Sequence, residues 1–339
     1  MKYRMPAEWE PHEATWLAWP HEHSDWPGKF APIPWVYGEI LRHLARAEKV
    51  RILVNDEGDM KVINRVLQKC DVNVANIELL LCPTNRSWAR DFAPIFVHRA
   101  DGDVVATDWI FNGWAKYDNW KLDNAVPKFA ASKLGLERVE PNLVLEGGSI
   151  EVNGRGLMLT TEECLLSDVQ ARNPGLSRKD LETAFADYLG IRKVIWLNRG
   201  IAGDDTHGHV DDLARFVSAD TVVTVVETNR TDENYKPLRE NLRLLRSVVG
   251  LKVVTLPMPA PVYFDGQRLP ASYANFYIAN GLVLVPTFND PNDRVALNTL
   301  ARLFPTRSVV GINCVDLVLG LGTLHCMTQQ QPAPRRPKS

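Results

Sequence analysis

The chain has 339 residues, with 39 Lys and Arg against 41 Asp and Glu and a formal net charge of −2, which leaves no electrostatic footprint for DNA or RNA. Its 45% hydrophobic and 24% charged residues are ordinary for a globular protein. No apolar run approaches the ~18 residues of a membrane span, and the opening Met1-Lys2-Tyr3-Arg4-Met5 lacks the apolar core of a secretory signal, so a cytoplasmic protein is expected.

Taken in chain order, the pattern alternates amphipathic helices with short apolar strands. A helix is predicted over 34–47, a strand over 50–55, a helix over 59–69, and strands over 77–83, 94–98 and 104–111. There follow a helix over 122–134, strands over 143–152 and 156–160, a helix over 177–189, and strands over 193–197 and 213–226. A helix over 232–248, strands over 251–256 and 276–286, a helix over 290–303 and a strand over 308–312 complete the pattern. Ser177-Arg178-Lys179-Asp180 and Asp290-Pro291 read as helix starts. After the first helix, the helix centres fall roughly 55–65 residues apart, which permits five units of strands plus one helix; an irregular α/β protein is the other reading. No Ser/Gly-rich linker divides the chain, so 1–331 is expected to be one domain. The Pro-rich, basic stretch 332–339 is expected to be a disordered tail.

The five cysteines, Cys70, Cys82, Cys164, Cys314 and Cys326, include no Cys-x-x-Cys pair, which argues against a disulfide framework or a structural zinc. Four segments break the rules of strands and helices. They are the loop around Trp88-Ala89-Arg90-Asp91, the Glu146-Gly147-Gly148 interruption of an apolar strand, the run from Gly203 to Asp212, and the small-residue loop leading to His325-Cys326. Three have structural readings: an Arg90–Asp91 salt bridge, a bulge at the glycines, and packing of His325-Cys326. The third segment is different, because four aspartates and two histidines crowd into ten residues. That crowding is costly unless a cation binds there.

Two chemistries compete for it. His207-x-His209-x-Asp211 resembles part of the His-x-His-x-Asp-His motif of metallo-β-lactamase-type hydrolases, and on a strand the three would share a face. Asp212 stands where that motif needs its last histidine, and no second ligand cluster is evident, so the metallohydrolase is the remote alternative. The other reading joins a cysteine nucleophile to a histidine and carboxylates. Several carboxylates would repel the oxyanion of an ester or amide reaction. They suit a guanidinium, a planar cation with five fixed donors. A cysteine, a histidine and three or four acids without a metal therefore point to a guanidine carbon.

At these residues the chain resembles the agmatine deiminase family of the guanidine-modifying superfamily. The resemblance begins at Met5-Pro6-Ala7-Glu8-Trp9-Glu10-Pro11-His12 and runs through Trp88-Ala89-Arg90-Asp91, Glu146-Gly147-Gly148 and the stretch from Gly203 to Phe216. It ends at His325-Cys326-Met327-Thr328-Gln329-Gln330. It implies an α/β five-bladed propeller of pseudo-fivefold symmetry (pentein type). It also implies hydrolysis of agmatine to N-carbamoylputrescine and ammonia, a step of putrescine and polyamine synthesis, with no cofactor and no metal. By the same resemblance Cys326 is the nucleophile and His209 the proton carrier. Asp91 and Asp211 clamp the guanidinium, Glu146 orients the histidine, and Asp205 and Trp88 lie near the substrate. The partner is a small guanidinium molecule, with neither nucleic acid nor membrane, and a homodimer is expected. His207 and Asp212 receive no role. Ala93 replaces a usual glycine, Leu321 interrupts the glycine run and Thr323 stands where Asn is common. These departures touch the pocket, so peptidyl-arginine or free arginine is the alternative substrate; amidino transfer and a non-catalytic binding propeller are further alternatives.

Overall fold

A computed structural model of the chain describes residues 2–335. One motif recurs in it: an antiparallel hairpin, then a helix, then a strand returning parallel to the hairpin's second strand. Strands Ile95–Arg99 and Val104–Thr107 are followed by helix Val126–Leu134 and strand Glu137–Val139. Strands Glu151–Val152 and Leu157–Thr161 lead to helix Arg178–Leu189 and strand Lys193–Leu197. Strands Ala214–Ser218 and Thr221–Val226 lead to helix Tyr235–Arg246 and strand Lys252–Pro257. Strands Tyr277–Ala279 and Leu282–Thr287 lead to helix Asn292–Leu303 and strand Ser308–Asn313. The two ends of the chain build one more unit: Gln329–Pro332 pairs antiparallel with His12–Ala18, and helix Ile33–Ala47 leads to Lys49–Val54, parallel to it. Helix Glu57–Lys69 and strand Ile77–Leu81 widen that sheet. A separate hairpin joins Tyr263–Phe264 to Gln267–Arg268.

Local chemistry explains these elements. The central strand of the third unit reads Thr-Val-Val-Thr-Val-Val, with four of its six residues fully or nearly buried, as a strand covered on both faces requires. Ser177 caps its helix in a reciprocal box with Asp180, and Gly190 ends that helix at φ +70°, where a Cβ would be strained. The side chains make one extended core and a smaller one around Val97, Met158 and Phe185, each buried Val, Leu or Phe contributing about 1.5–3 kcal/mol. Among the described residues, no helix is long and apolar enough to cross a membrane.

The predicted elements over 193–197 and 308–312, and all six helices, stand within a few residues of their places. Several expectations need correcting. The single strand expected over 213–226 folds back at Ala219-Asp220, and that over 276–286 folds back at Asn280-Gly281, where Gly281 has φ +67°. Most of 143–152 is not strand: Gly147–Ser149 is a 3₁₀ turn. The helix counted first in the repeat, over 59–69, is the additional one, and the helix equivalent to the others is Ile33–Ala47. The start of the expected tail is hydrogen-bonded into the fold: Pro332 ends a strand, Ala333 N donates to Pro11 O and Arg335 N to Gly102 O. Residues 336–339 lie outside the described residues.

Candidate active site

Each unit opens on the first strand of its antiparallel pair, and the segment just before that strand delivers a polar side chain to one place. Asp91 precedes Ile95–Arg99, Glu146 precedes Glu151–Val152, His209 and Asp211 precede Ala214–Ser218, Asn275 precedes Tyr277–Ala279, and Cys326 precedes Gln329–Pro332. Cys326, 6% exposed, sits on the wall of a cavity of about 620 Å³ that Trp88, Asp91 and Asp205 also line. Its Sγ accepts from Asn275 Nδ2 at 3.1 Å and lies 3.7 Å from Asp211 Oδ2. Burial first, then Asp211, Asp212 and Asp91, push the Cys326 thiol well above its ordinary value.

Asp91 and Asp211 are held without a Lys or Arg. Asp91 Oδ1 accepts from Gly148 N at 3.0 Å and Oδ2 from Trp114 Nε1 at 2.9 Å. Burial, with Asp211 and Glu146 nearby, raises its carboxyl to about 6 even though His209 opposes the rise. Asp211 Oδ2 accepts from His325 Nδ1 at 2.7 Å, and its Oδ1 has no partner. His209 is 1% exposed, with Nδ1 3.8 Å from Asp91 and Nε2 3.6 Å from Glu146. Burial disfavours a charge on it, but Asp91, Cys164 and Glu146 outweigh that and hold it well above the ordinary histidine value. Glu146 is lowered to about 2 despite its burial, chiefly by Arg172, whose Nε donates to Oε1 at 2.9 Å.

Backbone geometry makes this crowding possible. A Cβ on Gly148 would stand 2.5 Å from His209 Nδ1 and 2.8 Å from Asp91 Oδ1. Gly148 is therefore a close approach of backbone to the site, and Gly147 one to the Arg90 backbone, rather than a bulge. A Cβ on Gly322 would likewise meet the Trp88 ring at 2.8 Å. Leu321, which interrupts the glycine run, lines the cavity at φ +67°, a strained conformation for a non-glycine residue. Trp88 donates through Nε1 to Asp25 Oδ2 at 3.2 Å, and Asp25 is ion-paired to Arg86. Asp205 stands on the cavity wall, paired with Lys116 and accepting from Tyr117 Oη at 2.7 Å.

The Arg90–Asp91 salt bridge does not form: Arg90 turns away to Glu8, Gln329 and Gln330. His325 is more than packing, since it bridges Asp211 to Glu8, with Nε2 2.8 Å from Glu8 Oε2. The grouping proposed for a metallohydrolase is also absent. Gly208 and His207 have positive φ and Val210–Asp212 is a 3₁₀ turn, so no strand aligns 207, 209 and 211. His207 Nε2 lies 3.2 Å from Ser167 Oγ, and neither possible ligand group among the described residues includes it. Asp212 Oδ1 accepts from Asn275 Nδ2 at 3.0 Å. Sequence reasoning missed Asn275, Trp114, Arg172, Glu8 and Asp25. Asn275 had a usable signal, its place just before the first strand of an antiparallel pair like the other four segments. Arg172 and Trp114 reach the site from loops with no local signature.

A buried thiol thus stands beside an imidazole and two carboxylates, Asp91 and Asp211, that have no Lys or Arg partner, on an α/β fold. The chain belongs to the Porphyromonas-type peptidyl-arginine deiminase family, which it matches over residues 4–332. It is 36% identical over 366 residues to an agmatine deiminase of Pseudomonas aeruginosa, covering 98% of this chain and 96% of that one. Among solved structures it is similar to a C. jejuni agmatine deiminase with substrate bound (TM-score 0.91, 31% identity, 98% of this chain and 97% of that one). It is equally similar to an agmatine deiminase of Enterococcus faecalis (TM-score 0.91, 31% identity, 99% and 97%).

Proposed function

We propose that this chain is an agmatine deiminase, hydrolysing the guanidinium of agmatine to N-carbamoylputrescine and ammonia in the route to putrescine and polyamines. The observation that carries the reading is the pairing of Cys326 with Asp91 and Asp211, two buried carboxylates with no Lys or Arg partner. Such a pair is stable when a cation completes it, and the guanidinium supplies both the charge and the N–H donors.

The chemistry follows from the geometry. Burial and three carboxylates favour the protonated Cys326 thiol; an arriving cation reverses that field, and the thiol proton is released to solvent as the thiolate forms. Sγ attacks the guanidinium carbon, and His209 passes a proton to the departing nitrogen, so a C–S bond replaces a C–N bond and ammonia leaves. His209 then takes a proton from water as its oxygen adds to the same carbon. The C–S bond breaks and the ureido product leaves the thiol restored. Glu146, locked by Arg172, holds the imidazole, and Trp88 offers a face to the alkyl stem or cation. Alanine at Gly148 drives a Cβ into His209, so Gly148→Ala is expected to lower kcat about a hundredfold with the far-UV circular dichroism unchanged.

The choice of agmatine rests on the cavity's charge. Among the described residues lining it, Arg86 is the only Lys or Arg, and it is committed to Asp25, while Asp91, Asp205 and Asp265 add negative charge. Arg90 and Arg215 are likewise committed, Arg215 to Glu8 and Glu151 at 2.8 Å each. An α-carboxylate entering such a cavity meets repulsion and desolvation with no free cation to answer it. A panel assay for ureido product, run in EDTA with agmatine, arginine and a blocked arginine peptide, tests this. Agmatine is expected to lead in kcat/KM by about two decades, without loss in the chelator. Arginine or the peptide outperforming it overturns the substrate, and activity abolished by EDTA and restored by zinc overturns the mechanism.

The same reading takes the five hairpin–helix–strand units, closed by pairing of the chain ends, as a five-bladed propeller forming one catalytic domain. The five site segments, each before the first strand of an antiparallel pair, support an axis of pseudo-fivefold symmetry at the site. The five unpaired cysteines fit a reducing cytoplasm. A homodimer belongs to this reading and is checked by sedimentation.

A further inference from the structure

Behind the catalytic imidazole lies a second thiol that the reaction does not use. Cys164 sits in the short turn Glu162–Leu165, and its N–H donates to the capping Thr161 Oγ1 at 3.0 Å. Thr161 Oγ1 in turn donates to Gly208 O at 2.6 Å, so the turn is tied to the residue preceding His209. Cys164 is fully buried, and one ligand atom each of Glu146, Cys164 and His209 lie within 4.8 Å of one another. Both ring nitrogens of His209 and Oε2 of Glu146 are buried without a hydrogen-bond partner, although both residues are almost completely buried, at 1% and 0% exposure. Buried polar atoms are otherwise rarely left open.

We propose that Glu146, Cys164 and His209 form a reversible zinc site that shuts the enzyme off when occupied. The donor set of one imidazole nitrogen, one thiolate and one carboxylate oxygen is a zinc set and a poor one for magnesium or calcium. Nitrogen and oxygen ligands bind zinc at about 2.0–2.1 Å, so at the tetrahedral angle two of them stand about 3.4 Å apart. His209 Nε2 and Glu146 Oε2 are already 3.6 Å apart. Arg172 occupies Oε1 and leaves Oε2 as the ligand, with a water filling the fourth position. Binding displaces the Cys164 proton to solvent. Zinc on Nε2 takes the place of the proton that lets the ring become an imidazolium; Nδ1 then keeps its hydrogen, since losing it would leave an imidazolate, so the ring no longer cycles protons and turnover stops. The site differs from the other possible grouping, Asp211, Asp212 and Cys326, because it spares the nucleophile. Metal binding does not depend on the deiminase reading; only the inhibition does.

Cobalt(II) added to the Cys326→Ala protein reads the site without any activity. A near-ultraviolet thiolate-to-cobalt band is expected at one equivalent, and it is expected to vanish in the Cys164→Ala/Cys326→Ala double variant. In the otherwise unaltered enzyme, zinc chloride is expected to inhibit agmatine turnover reversibly, EDTA restoring it. Measured against its own zinc-free turnover, Cys164→Ala is expected to need at least about tenfold more zinc for half-inhibition. The proposal is overturned if the Cys326→Ala protein shows no sulfur-to-cobalt band, if the band persists in the double variant, or if Cys164→Ala is inhibited at the parent's zinc concentration. Should Cys164→Ala fail to fold, the cobalt result with Cys326→Ala decides alone.

Discussion

Replacing Cys326 with alanine is expected to abolish turnover, a loss of about six decades in kcat, comparable to removing the nucleophile from other covalent enzymes. No second group takes over. Among the described residues lining the cavity, Cys326 is the only thiol, and the carboxylates of Asp91 and Asp211 beside it are held by hydrogen bonds. Cys82 is buried away from this chemistry, its thiol pushed up to about 11 by burial and by Asp123. Cys314 is fully buried and its thiol is raised further, again by burial. Cys70, Cys82 and Cys314 should each accept serine or alanine at a cost in stability alone. Thiol alkylation is expected to inactivate the enzyme, with saturating agmatine protecting it. Assays of ureido product in single and multiple turnover check all of these, and near-normal activity in Cys326→Ala sinks the covalent mechanism.

What the sequence revealed of this molecule depends on how each residue earns its burial. Strands such as Thr221–Val226 announce themselves because apolar, β-branched side chains fill both faces. Gln329–Pro332 does not, since three glutamines and a proline form a strand with no apolar pattern at all. They can be buried because Arg90 donates to Gln329 and Gln330, at 2.7 and 2.6 Å, and because Gln331 Oε1 accepts from Trp16 Nε1 at 3.0 Å and Arg51 Nη1 at 2.6 Å. Those arginines come from distant segments, which no local window sees. The site divides the same way. Asp91, Glu146, His209, Asp211 and Cys326 were legible because each stands in a segment that breaks the rules of regular structure. Their supports, Arg172 on Glu146 and Glu8 on His325, follow from long-range contacts across 26 and 317 residues.

The two carboxylates proposed to clamp the guanidinium should respond differently to loss of charge. Asp211→Asn is expected to lower kcat/KM by about two decades or more, and Asp91→Asn by about one to two, since a hydrogen bond to a charged group is worth about 1.5–3 kcal/mol. At Asp211, Oδ1 has no hydrogen-bond partner within the protein and Oδ2 already serves His325. The free oxygen is therefore the one left for the guanidinium, and it lies on the carboxylate nearest Sγ. An asparagine there removes the charge that draws the cation to the thiol. It also leaves His325 held by Glu8 alone among carboxylates. At Asp91 both oxygens accept from fixed donors, Gly148 N and Trp114 Nε1. An asparagine must turn its amide N–H toward one of them, so much of its cost is misplacement rather than lost charge. Asp91→Asn should accordingly raise KM with a smaller fall in kcat, while Asp211→Asn should lower kcat itself. If either variant keeps kcat/KM within about threefold of the parent, under ~0.7 kcal/mol, that carboxylate does not clamp the substrate.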